Sequence, residues 1–238
     1  MSRRHDIPSP LPQLSIKQLA ELYASPSSVV PDIDLVEALS EYEADACVLF
    51  TDTTVTGDAD VLRLFYSGYV FALLLINELN EARFLTHRFP PSLKKSDQTL
   101  NRSTNLVRAL WSKDYNSIYQ TLTTPGWPEE LRPLVDRYIA YFRFSTFNLL
   151  GRAYTSLPPS LGAMYLGLDG TDDEVTEQFI SRGWSFDTAK RTLCPPPVIE
   201  EPKSSAATRG TASRGDSAAS LVDLVGFLGE ESSSSWRL

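Results

Sequence analysis

Apolar residues recur three and four positions apart along most of this chain, and clusters of proline separate the stretches where they do. That pattern predicts helices joined by turns. Proline breaks helix interiors, so the long proline-free blocks bounded by Pro31, Pro90, Pro125, Pro158 and Pro195 are where helices can be continuous. Ser15–Ala24 can form a first short helix, with Ile16, Leu19, Leu22 and Tyr23 on one side. Asp34 followed by Glu37 resembles a capping box, opening a helix with Leu35, Leu39, Tyr42 and Ala46 at helical spacing. Val48–Gly57 is rich in Thr and Val, lacks a period and reads as a loop. Val61–Ile76 is apolar nearly all round, which predicts the most buried helix. The polar Asn77–Asn80 stretch then interrupts, and Ala82, Phe84 and Leu85 resume, so we read a helical hairpin with Asn80 as N-cap, ended by Pro90-Pro91.

Further on, Val107, Trp111, Tyr115, Ile118 and Leu122 fall on one helix face, with Asp114 a point where the helix can divide in two. Trp111 and Trp127 are expected in the core. Pro125–Pro128 makes a turn, and Pro133 suits the first turn of the next helix, which should run to about Tyr154 or Ser156. Leu134, Tyr138, Phe142 and Leu149 keep its register, with Val135, Ile139 and Leu150 beside them. The first two-thirds is thus a set of antiparallel helices able to stack as an α-solenoid or bundle.

The character changes after Pro158-Pro159. Leu161, Met164, Tyr165 and Leu168 mark a short helix. Thr171–Glu174 is a second capping-box match, opening a helix with Val175, Phe179 and Ile180 inward and Gly183 as its C′ residue. Trp184-Ser185-Phe186 alternates as a strand, Asp187-Thr188 can turn, and Arg191–Cys194 can return. Two helices followed by a hairpin form the end of a winged-helix module. From Glu200 to Ser220 there is no Leu, Ile, Val, Phe, Tyr or Trp, which predicts a disordered linker. Beyond it, Leu221, Leu224, Val225 and Leu228 share one face of a short helix, with Phe227 on its border. Gly226 weakens that helix by ~1 kcal/mol, so the segment is expected to fold only against partners.

Charge narrows the function. The 238 residues carry a net charge of −8, which opposes nucleic-acid binding. In a DNA-reading winged helix the second helix enters the major groove and is basic. Here Asp169–Arg182 holds five acids against one base, so the module reads as a protein–protein surface. Two cysteines and two histidines leave no disulfide framework and no Cys- or His-based metal site. No metalloprotease, P-loop or nucleophile-elbow motif is present, and we read no enzyme and no cofactor. Pro8, Pro10 and Pro12 stand where a signal peptide needs an apolar run, and Tyr69–Ile76 is too short to span a bilayer. A soluble, intracellular protein is expected. On that expectation the Asn101–Ser103 acceptor pattern and the Arg214–Asp216 tripeptide are chance matches.

A helical array followed by a winged helix is the layout of the PCI-domain family. The local sequences are similar to those of one branch, the eighth and smallest subunits of the COP-nine signalosome. Asn77–Leu85 with Arg88–Pro91 closely resembles their helix-hairpin motif. Trp111–Tyr115 with Ile118-Tyr119, then Ala153–Leu157 and Gly183-Trp184, resemble their later motifs in order and spacing. Leu221–Leu228 resembles their C-terminal helix. The proteasome-lid and initiation-factor-three members of the family are related.

The resemblance implies a mainly α fold: a TPR-like helical-repeat array, a small winged helix and a C-terminal helix on a flexible linker. The expected division is an arm over 1–31, a repeat domain over 32–157, a winged helix over 158–197, a linker over 198–220, an assembly helix over 221–230 and a tail over 231–238. It implies a non-catalytic scaffold in a hetero-oligomer that deneddylates cullins, in cytoplasm and nucleus, with no nucleic acid or membrane as partner. The alternatives are a PCI subunit of the proteasome lid or of initiation factor three, or a nucleic-acid-binding adaptor. Partner-binding residues would be Trp184 and Phe186 in the hairpin and Leu221, Leu224, Val225, Phe227 and Leu228 in the distal helix.

Overall fold

The computed structural model describes residues 15–26, 32–43, 46, 58–90, 93–94 and 97–196. The Val48–Gly57 loop, the 198–220 linker and the distal helix lie outside the described residues. The fold is mainly helical. Among the described residues are nine α-helices: α1 (Ile16–Ala24), α2 (Asp32–Glu41), α3 (Asp58–Leu75), α4 (Leu79–Arg88), α5 (Gln98–Ser112), α6 (Tyr115–Thr123), α7 (Arg132–Ala153), α8 (Pro159–Leu166) and α9 (Asp172–Ser181). A 3-10 turn at Glu129–Leu131 leads into α7, and two short strands follow α9: β1 (Ser185–Asp187) and β2 (Thr192–Cys194). These residues form two compact units. One holds those up to Ser112 together with Thr121–Tyr138, and the other holds Lys113–Gln120 and those from Ile139 onward.

The first unit is built around α3. Every residue from Leu64 to Leu75 is buried, because α1, α2, α4, α5 and the 3-10 turn all pack on this helix. A helix apolar on all sides has no face to offer water. No helix among the described residues is long and apolar enough to cross a membrane. The tightest crossing is α1 over Gly68, where a Cβ would stand 2.0 Å from the Tyr23 hydroxyl oxygen. That hydroxyl donates to the Leu64 carbonyl at 3.1 Å, and burial pushes the phenol pKa well up. Gly68→Ala should therefore displace Tyr23 and cost about 1–3 kcal/mol by overpacking. Urea unfolding checks this, and an unchanged midpoint would contradict it.

Two expected helix starts are corrected. The helix placed after an Asp34 cap begins instead at Asp32, and Asp34 lies in its first turn, where a carboxylate suits the helix dipole. A tertiary contact sets that start: the buried Asp32 carboxylate pairs with the largely buried Arg137 guanidinium. Nor is Asn80 an N-cap. The N-cap of α4 is Glu78, and Asn80 sits inside the helix. The turn is completed earlier, because Asn77 adopts a left-handed φ of 62°. Its N–H donates to the Leu74 carbonyl at 3.1 Å, and the Glu78 N–H donates to the Leu73 carbonyl at 2.9 Å. This is the Schellman pattern, for which Asn is a tolerated C′ residue.

The division at Asp114 is present. Lys113 takes φ 56°, and the Asp114 carboxylate accepts from the Ser117 N–H at 3.2 Å and the Ser117 hydroxyl at 2.6 Å. The break also ends the single face expected from Val107 to Leu122. Trp111, expected in the core, is 52% exposed, with the Arg83 guanidinium 4.5 Å over its ring. Trp127 is buried as expected and donates its indole N–H to the Thr121 carbonyl. Phe84, Leu149 and Ile180 also lie exposed, because each helix buries only the stripe its neighbours reach. In α9 that stripe is Val175, Thr176 and Phe179.

The hydrogen bonds from the Ser117 hydroxyl and then its N–H hold the Asp114 carboxyl below its usual range. A carboxylate favoured in the folded state contributes stability above its unfolded pKa of about 3.9 and loses it as pH falls through the lowered folded value. The protection of amides in the first turn of α6, measured against their intrinsic exchange at each pH, should therefore fall over that acid window, and Asp114→Ala should abolish that fall.

Candidate functional site

The sequence directs attention to the hairpin at the end of the second unit, and local rules account for its placement. Gly167 ends α8 in the left-handed conformation, φ 57°. The carbonyls at this end accept from Arg143 of α7: Nε donates to Leu166 at 3.1 Å and Nη2 to Gly167 at 3.0 Å. The expected capping box opens α9. The Thr171 hydroxyl accepts from the Glu174 N–H at 3.4 Å, and the Glu174 carboxylate accepts from the Thr171 N–H at 2.8 Å.

At its other end α9 closes in a Schellman motif. The Gly183 N–H donates to Ile180 and the Trp184 N–H to Phe179, at 3.0 and 3.1 Å. Gly183 supplies the left-handed φ of 89°. This motif favours an apolar contact between the C″ and C3 residues, here Trp184 and Phe179, whose rings meet edge-on at 5.0 Å. Trp184 is thereby turned inward to 4% exposure, in a core of Leu150, Leu157, Leu166, Val175, Phe179 and Leu193.

The strands then pair antiparallel, Phe186 opposite Leu193. Asp187 holds the turn by accepting from the Ala189 and Lys190 N–H groups at 2.9 and 3.1 Å. Sequence reasoning missed one partner. Leu157 exchanges both backbone hydrogen bonds with Leu193, at 2.8 and 2.7 Å. The signal was available: a residue before proline is pushed to extended geometry, and Pro158 follows Leu157. Because Leu193 directs its N–H and carbonyl to Leu157, its pairing with Phe186 is of the non-hydrogen-bonded type. The N–H and carbonyl of Phe186 therefore point to the outer edge of β1.

Trp184 and Phe186 thus differ in exposure. Trp184 is buried in the core. Phe186 is half-buried against the same core and carries the outer edge of β1, with which no strand pairs among the described residues. The remaining expected residues, Leu221, Leu224, Val225, Phe227 and Leu228, lie outside the described residues. Asp169, Asp172, Asp173, Glu174 and Glu177 are all exposed, a surface that repels phosphate.

Comparison of the sequence with known proteins shows its family. A family model described as the CSN8/PSMD8/EIF3K family matches residues 60–204, more than half of the chain. The chain belongs to that family. Among curated relatives within it, COP9 signalosome complex subunit 8 of Emericella nidulans is 35% identical over 195 residues, covering 81% of this chain and 89% of that protein. The subunit 8 proteins of Xenopus tropicalis and Danio rerio are 29% and 26% identical, covering 68% of this chain and 80% and 81% of their own lengths. The family match spans the motifs at Asn77–Pro91, Trp111–Tyr119, Ala153–Leu157 and Gly183-Trp184.

Proposed function

We propose that this chain is a non-catalytic scaffold subunit of a COP9 signalosome, supporting assembly of the complex that removes the ubiquitin-like modifier Nedd-eight from cullins. The observation that carries this reading is the 35% identity to a subunit 8 protein across most of both chains. We read the helices of the first unit as a TPR-like array and the α8–α9–hairpin segment as a winged helix. The outer β1 edge at Phe186, unpaired among the described residues, supports docking by strand addition, since unpaired backbone groups offer a template for a neighbouring strand. The exposed acids of α9 weigh against a nucleic-acid partner. Such a subunit would work in cytoplasm and nucleus, in hetero-oligomeric contact with other signalosome subunits.

The distal segment would supply a second contact. Leu221, Leu224, Val225 and Leu228 fall on one helix face, with Phe227 at its border, and a helix this short is marginal alone in water. We read it as an assembly helix that orders against partner helices.

Affinity purification of the tagged protein, with the co-purifying subunits identified, tests the function. Signalosome subunits are expected, and recovery of proteasome-lid or initiation-factor subunits instead would overturn the reading. Leu224→Asp with Leu228→Asp should leave the protein folded while weakening incorporation. Equal recovery would remove the tail from the assembly surface.

A further inference from the structure

Trp184 also lines a cavity of about 310 Å³ within the second unit. Its floor is aromatic, with Phe147 and Trp184 ring to ring at 5.7 Å. Its rim is cationic, with Arg152 from the last turn of α7 and Arg182 from the C-cap of α9. Either arginine alone would be explained as a cation favouring a helix C-terminus. Neither helix requires them to converge on one aromatic floor. The Arg182 guanidinium lies 5.5 Å over the Phe147 ring, a stacking that orients its planar fork. Among the described residues no ion pair engages Arg152.

Arg152 and Arg182 are the charged residues among those lining the cavity, so it presents a cationic point that complements a carboxylate.

We propose that this cavity receives an acidic–apolar peptide segment of a partner protein. An apolar side chain of that segment rests on the half-buried Phe147, with Trp184 packed beneath it, and an adjacent carboxylate is held by Arg152 and Arg182. Arginine forks match carboxylate geometry and form the stronger charge-assisted hydrogen bonds. Burial on the aromatic floor adds the apolar contribution that a rim charge lacks. The inference goes beyond the signalosome reading and holds whichever complex the chain enters.

The test uses the full-length chain in cells, with the photo-crosslinker p-benzoylphenylalanine in place of Asn148 on the exposed rim. Crosslinked peptides are mapped by mass spectrometry. Crosslinks should fall on one partner segment in which Asp or Glu stands beside a large apolar residue. Arg152→Glu with Arg182→Glu should lower their yield by about tenfold or more, and the Lys pair should fall between, since it keeps the charge and loses the fork. Arg152→Glu alone repeats the test should the double variant misfold, since Arg152 is exposed. Crosslinks insensitive to charge reversal, crosslinks to a segment without acids, crosslinks to this chain's own 197–238 segment, or none at all would each overturn the proposal. Unchanged recovery of signalosome subunits beside any of those results sinks this proposal and leaves the assembly reading standing.

Discussion

Trp184→Ala should lower the stability of the second unit by about 3–5 kcal/mol, the range for truncating a fully packed aromatic side chain. The ring is 4% exposed and meets Phe147 at 5.7 Å and Phe179 at 5.0 Å. Loss of those ring contacts adds to the loss of buried area. The surrounding core cannot collapse freely, because the Schellman turn and the Leu157–Leu193 bridge fix the backbone on both sides. Urea unfolding should show a lower midpoint at an unchanged slope. Docking onto a neighbouring subunit should weaken as well, since the ring sets the position from which β1 starts. A change under ~1 kcal/mol with full partner recovery would mean that Trp184 does not hold the hairpin.

Arg137→Ala should destabilise the first unit by a similar amount, about 3–5 kcal/mol, because it leaves a buried carboxylate unpaired. Arg137 and Asp32 side chains are 11% and 6% exposed. Burial pushes the guanidinium pKa down to about 10, so the group is still a cation at neutral pH. It also donates to the Ser25 carbonyl at 3.2 Å, tying the end of α1 and the start of α2 to α7. Removing both charges together is a different experiment. Arg137→Met with Asp32→Leu should cost far less than Arg137→Ala, because no charge is left stranded in the interior. Equal losses in the single and double variants would show that the pair contributes by packing alone.

Features set by neighbouring residues could be read from the sequence alone. Apolar periodicity located α1, α3, α7 and α9, and proline marked the turns, because both act over a few residues. The Thr171 capping box, the Gly183 C′ position and the Trp184–Cys194 hairpin follow from local backbone preference. So does the division at Asp114, where a short carboxylate caps the following turn. The family was legible for the same reason, since its motifs sit at those local breaks.

Other features depended on what lies across the fold. Asp32 rather than Asp34 opens α2 because Arg137, distant in sequence, supplies a buried partner for its carboxylate. Trp111 stays half-exposed beside Arg83 because the break after Ser112 ends the face it was assigned to. Phe84 and Ile180 lie exposed although their helices are amphipathic, since a stripe is buried only as far as a neighbour covers it. The same holds for the candidate site. Trp184 was legible as the start of the hairpin, whereas Leu157 beside Leu193 and Arg152 beside Arg182 are brought together only by the packing of separate elements. Period and capping act along the chain and determine which residues form a helix or a turn. Burial and ion pairing act through space, so the fold alone decided which of those residues meet.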